Sequence, residues 1–82
     1  MPHFVYILKS IKDGGYYVGE TKNVSARLHF HNAGLQKSTR NRTPWEVIHV
    51  EVWSDRKEAL TREKQIKSFK GGEAFKKLIS HG

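Results

Sequence analysis

Phe4-Val5-Tyr6-Ile7-Leu8 and Tyr16-Tyr17-Val18-Gly19, with Ile11-Lys12-Asp13-Gly14-Gly15 between them, decide how this chain begins. Both runs are rich in aromatic and β-branched residues, which suit a pleated and partly buried backbone, and Asp13-Gly14 is a turn signal. They predict a β-hairpin. In the first strand Phe4, Tyr6 and Leu8 fall on one face and Val5 and Ile7 on the other, so both faces are apolar and the strand is expected to be central. If Asp13-Gly14 is a two-residue loop, Ser10 faces Tyr17, and Tyr6 and Tyr17 share a face roughly 13 Å apart. A longer loop that shifts the pairing by an even count brings the two tyrosines together, whereas a slip of one residue puts them on opposite faces. The residues alone leave the register open.

Beyond the hairpin, Asn23 is a good N-cap for a helix over about 24–33, and Gly34 is the matching stop. Val24, Leu28 and His31 fall within an arc of about 60° that marks the buried face. Arg27 lies on the edge of that arc, one turn before His31. A guanidinium and an imidazole therefore meet the sheet together, either as a snorkelling arginine and a hydrogen-bonded core histidine or as a functional pair. From Leu35 to Pro44 the chain is polar, and nothing there is expected to enter a core. Lys37, Arg40 and Arg42 place three cations within six residues. Such a run is either a solvated loop or a set of phosphate contacts assisted by Ser and Thr hydroxyls.

Residues of about 46–53 alternate as a third strand, with Ile48, Val50 and Val52 inward and Val47, His49, Glu51 and Trp53 outward. On that reading His49 and Glu51 face solvent. Asp55-Arg56-Lys57-Glu58 is a capping-box pattern that starts a helix of about 56–69, with Ala59, Leu60, Ile66 and Phe69 on its inner stripe. Glu63 lies only about 40° from Ala59 on the wheel, inside that stripe. An unpaired carboxylate buried there costs several kcal/mol, so it needs a partner: an arginine, or a metal ion. Gly71-Gly72 breaks the helix, and Phe75, Leu78 and Ile79 mark a short last one. The order is β-β-α-β-α-α, an α+β chain without an internal repeat.

With 82 residues the chain is expected to form one domain over 1–82, with a thin core. It has no cysteine, which excludes a disulfide framework, a thiolate zinc site and a cysteine nucleophile. Fifteen Lys and Arg against eight Asp and Glu give a formal charge of +7, a field that favours polyanions and most simply nucleic acid. Charge alone does not separate DNA from RNA. No apolar run approaches the ~18 residues of a membrane span, and the start lacks a signal-peptide core, so the cytoplasm is the expected address.

Val5-Tyr6-Ile7 and Tyr17-Val18-Gly19 resemble the paired motif of the GIY-YIG nuclease superfamily. The resemblance extends over nearly the whole chain, through Gly19-Glu20-Thr21, His31-Asn32-Ala33-Gly34 and Pro44-Trp45. It implies a three-stranded antiparallel sheet with flanking helices. It also implies a site built from Tyr6, Tyr17, Arg27 on the first helix, His31 one turn later and Glu63 on the later helix. The activity implied is endonucleolytic hydrolysis of DNA phosphodiester bonds with one divalent cation, Mg²⁺ or Mn²⁺, held by Glu63, in processes such as DNA repair or recombination. Arg27 would clamp a phosphate oxygen. Tyr6, Tyr17 or His31 would be the base, and a tyrosine base would need the cationic surroundings of Arg27, His31 and the metal. Two departures stand out: Val5 replaces the first glycine, and the chain has no Asn after Asn41, where many active members carry one beyond the glutamate. Nuclease members also commonly carry a second, target-binding domain, which is not expected here. The alternative is a nucleic-acid-binding module of the same fold with weak or no activity. A homodimer or another protein partner is left open.

Overall fold

The computed structural model describes residues 1–80. Among them, three strands and three α-helices follow one another in the expected order. These are β1 (His3–Ser10), β2 (Tyr16–Thr21), α1 (Val24–Asn32), β3 (Trp45–Trp53), α2 (Arg56–Ser68) and α3 (Glu73–Ile79), with a 3₁₀ turn at Arg40–Arg42 before β3. The strands form one antiparallel sheet in the order β2-β1-β3. β1 is central because both of its faces are apolar and both are covered. Val5 and Ile7 pack with Val18, Ala59, Ile66 and Phe75 under α2 and α3. Tyr6 and Leu8 pack with Trp45 and are joined by Tyr17, Val24, Leu28 and Val47 under α1.

The helix ends are set by the residues expected. Asn23 accepts the Ala26 amide at 3.0 Å, and Asp55 accepts the Glu58 amide at 2.8 Å, each satisfying a backbone donor of the first turn. The carboxylate of Glu58 does not close a capping box; it accepts from Ser54 Oγ at 2.7 Å. No helix among the described residues is long and apolar enough to cross a membrane.

The hairpin register, which the residues alone left open, is fixed here, and two local expectations change. The β1–β2 connection is a four-residue loop, 11–14, closed by Ser10 N to Gly15 O at 2.8 Å and Gly14 N to Ser10 O at 2.9 Å. Gly14 supplies the left-handed conformation the loop needs, with φ +74. The register is thus shifted by two from that of a two-residue turn, and Leu8 faces Tyr17 while Tyr6 faces Gly19. In β3, a bulge between the partners of Ile7 and Leu8 inserts Ile48 and reverses the alternation after it. Val50, opposite Tyr6, and Val52, opposite Phe4, consequently lie on the α1 side beyond that helix's cover, and both are exposed. His49 and Glu51 turn the other way, under α2, rather than to solvent. Glu51 accepts from Arg62 at 2.8 and 2.9 Å, from His49 at 2.9 Å and from Trp53 Nε1 at 3.1 Å. The internal acid–arginine pair is therefore Glu51–Arg62, one strand away from where the helical wheel of α2 places it. Finally, the 35–44 segment does reach the core: Thr39 is fully buried.

Candidate active site

The α1 face of the hairpin gathers four of the five candidate catalytic side chains. Tyr6 and Tyr17 are diagonal neighbours across β1 and β2, with ring centroids 6.3 Å apart. Tyr16 points to the other face and packs edge-on against Phe75 at 5.0 Å. Tyr6 is only 2% exposed, and its hydroxyl lies over Gly19 on the neighbouring strand. A Cβ at that position would sit 2.5 Å from the Tyr6 oxygen and 2.7 Å from Cζ. The glycine ending the second motif is thus the space that the tyrosine of the first motif occupies.

His31, fully buried on α1, meets both tyrosines. Its Nε2 is 3.1 Å from the Tyr6 hydroxyl, its ring centroid is 4.8 Å from that of Tyr17, and its Nδ1 is 2.9 Å from Thr39 Oγ1. Thr39 has Gln36 O at 3.4 Å as an acceptor for its own hydrogen. With that hydrogen so placed, Oγ1 accepts Nδ1–H, and Nε2 is left bare to accept the Tyr6 hydroxyl. The Tyr17 hydroxyl accepts from Gln36 Nε2 at 3.0 Å. Arg27 stands at the rim, with its guanidinium 4.9 Å from the Phe30 ring centroid.

The electrostatics differ from the cationic surroundings expected of a tyrosine base. Burial pushes the Tyr6 phenol well above its ordinary value of 10.0; Tyr17 and the carboxylates of Glu63 and Glu20 push the same way, and only Arg27 pulls down. His31 adds no positive charge at neutral pH, because burial and then the Arg27 charge hold it below its ordinary 6.5. The pair is a neutral phenol on a neutral imidazole.

Glu63 approaches from α2, within electrostatic reach of Tyr6. Its side chain is 16% exposed, and its ion-pair partner is not an arginine but Lys67, one turn on, at 2.6 Å and itself 53% exposed. Among the described residues no group of three or more His, Cys, Asp or Glu could enclose a metal. One carboxylate with a solvent-facing lysine as its counter-ion fits a cation that keeps most of its water, as Mg²⁺ does.

The cationic loop divides. Arg42 is held by Asp13, Nε to Oδ2 at 2.8 Å and Nη2 to Oδ1 at 3.3 Å, and lies 4.9 Å from the Trp45 ring centroid. Its guanidinium occupies the space beside Gly15 where a Cβ would be. Ser10 Oγ donates to Arg42 O at 2.6 Å, and Lys12 Nζ to Asn41 O at 3.0 Å, so this segment is tied to the hairpin. Lys37 and Arg40 remain exposed. Residues that the linear pattern did not single out complete the site's support. Thr39 orients His31, Gln36 holds Tyr17, and Asn32 clamps the start of β3 by accepting from Trp45 N at 2.7 Å and donating to Trp45 O at 3.1 Å. The polar composition of 36–43 hid Gln36 and Thr39; a buried histidine with two ring nitrogens is the signal that a second partner had to exist.

The model of the GIY-YIG catalytic domain family matches residues 2–75. A UPF0213 protein of Staphylococcus haemolyticus is 42% identical over 77 residues, 93% of either chain. Another, from Haloquadratum walsbyi, is 44% identical over 68 residues, 82% of this chain and 75% of that protein. The solution NMR structure of a UPF0213 protein from Bacillus halodurans superposes with a TM-score of 0.60 at 33% identity, over 98% of this chain and 84% of that one.

Proposed function

The chain belongs to the GIY-YIG family of catalytic domains, and from that premise we propose that it is a divalent-metal-dependent endonuclease hydrolysing DNA phosphodiester bonds. The observation that carries the reading is the Tyr6–His31 hydrogen bond beside Tyr17 and Arg27. A pure binding module has no need of a buried tyrosine whose proton faces a bare imidazole nitrogen.

In this reading a water oxygen bonds to phosphorus as the P–O bond to the departing sugar oxygen breaks. The water gives its proton to the Tyr6 oxygen, Tyr6 gives its own proton to His31 Nε2, and the departing oxygen takes a proton from solvent. No free phenolate is required, which suits a phenol whose ionisation is suppressed. Thr39 accepts Nδ1–H throughout and fixes the tautomer. Tyr17, held by Gln36, bounds the space in which the water is aligned. Arg27 takes a non-bridging phosphate oxygen, where charge builds in the transition state. Glu63 would hold the divalent cation, whose chemistry there would be neutralisation of charge on the phosphate. Lys37 and Arg40 carry the duplex backbone at the loop, with Arg42 stiffening that loop from beneath.

Nicking of a supercoiled plasmid with and without Mn²⁺, for wild type and Tyr6→Phe, tests the proposal. Metal-dependent nicking by the wild type alone is expected. Retarded mobility of the plasmid without any nicking would instead identify a binding module.

A further inference from the structure

A positively lined cleft beside the candidate site has no part in the nuclease reading beyond Arg27. It opens at the end of β2, beside the candidate site, between the start of α1 and the start of α2. Lys22, Arg27 and Arg56 line it, with Glu20 and His3 as its floor. A second cleft adjoins it along α1, sharing Lys22 and Arg27. Three full cations against one carboxylate make the lining positive. The carboxylate is not free to repel an anion, since Glu20 is turned inward to His3 Nδ1 at 2.9 Å. Its other oxygen lies 3.6 Å from Arg56 Nε, while Arg56 itself is 69% exposed and directs the rest of its guanidinium to solvent. Glu20 therefore aims Arg56 rather than neutralising the cleft. Arg56 and Glu63 are seven residues apart on α2, two turns along one face, so the cleft continues the line of the proposed metal ligand.

We propose that this cleft is a subsite for the sugar–phosphate backbone next to the scissile phosphate, with Lys22 and Arg56 contacting the flanking phosphates. The inference rests on the nuclease reading for what lies at Arg27 and Glu63. It adds a second set of cations, apart in sequence from the Lys37–Arg42 loop. It also gives the chain a means of positioning phosphate without an asparagine beyond Glu63.

The test is binding of a fluorescein-labelled DNA duplex in EDTA, measured across a salt series, so that cleavage plays no part. Replacing both Lys22 and Arg56 by Ala should lower the magnitude of the log-affinity against log-salt slope by about 2, one for each phosphate left without its cation. Lys76→Ala with Lys77→Ala removes the same charge from exposed positions on α3 and should leave the slope at its wild-type value. Lys22→Ala combined with Arg56→Lys, which keeps the charge at position 56, should lose only about half as much slope as the double alanine variant. If the wild type binds and nicks DNA but the Lys22/Arg56 variant keeps its slope, or the α3 control falls as far, the subsite is wrong and the nuclease reading stands. If the wild type neither binds nor nicks, both fall together.

Discussion

The hydroxyl of Tyr6 and Nε2 of His31 lie 3.1 Å apart across 25 residues of sequence, and both side chains are buried. Replacing His31 by Gln removes the proton acceptor while keeping a polar group of similar reach. Nicking should fall by roughly 10²–10⁴-fold, the usual worth of a positioned acid–base group. The same histidine gives a pH signature. Its folded value lies below 6.5, so the unfolded chain takes up the proton first. Stability tied to His31 is complete above about pH 6.5 and is lost as pH falls through the depressed folded value. Urea melts at pH 5 and 7.5 should show that loss in the wild type and a smaller one in His31→Gln. Equal losses would mean His31 is not the titrating group.

Gly19→Ala should be more damaging than its single methyl suggests. The new Cβ would lie 2.5 Å from the Tyr6 oxygen, so the ring or the strand must shift, which disturbs the bond to His31. A stability loss of about 1–3 kcal/mol is expected from overpacking, together with loss of nicking. A fully active Gly19→Ala chain would show that Tyr6 does not work from this position.

Two glutamates should respond in opposite ways to loss of charge. Glu63→Gln releases only the exposed Lys67, a pair worth about 0–1 kcal/mol, so urea melts should barely change while metal-dependent nicking collapses. Glu51→Gln weakens the two bonds to Arg62 and should cost roughly 1.5–3 kcal/mol. Although burial works to raise it, the bonds from Arg62, His49 and Trp53 outweigh burial and hold Glu51 down at about 2. Stability from Glu51 is thus present above its ordinary 4.5 and lost as pH falls from there towards about 2. A Glu51→Gln chain should lack that acid-sensitive step.

The cationic loop should separate into binding and bracing parts. Lys37→Ala with Arg40→Ala should flatten the salt dependence of DNA binding by about 2 in slope without shifting the thermal midpoint. Arg42→Ala should lower the midpoint, because it unties the hairpin loop at Asp13 and uncovers the Trp45 ring. An unchanged slope in the double variant would remove the loop from the interface.

The elements and their order were legible in the linear chain, because they depend on local chemistry. Period-two apolar runs, Asn23 and Asp55 as caps, and Gly34 and Gly71 with φ near +75 all act within a few residues of themselves. The linear chain allowed Tyr6 and Tyr17 to share one face, since strand parity survives any even shift of register, but it left a one-residue slip open. Tertiary structure alone decided the shift of two that brings those rings together, because the loop length depends on Ser10 and Asp13 bonding to a segment some thirty residues away. It likewise decided the bulge at Ile48, which turned Glu51 inward and gave the internal partnership with an arginine to Glu51, through Arg62, rather than to Glu63. Burial, finally, is a property of the assembled sheet and helices. The same residues that spell a cationic, basic-tyrosine site in the linear chain become, once water is removed, a neutral phenol donating to a neutral imidazole.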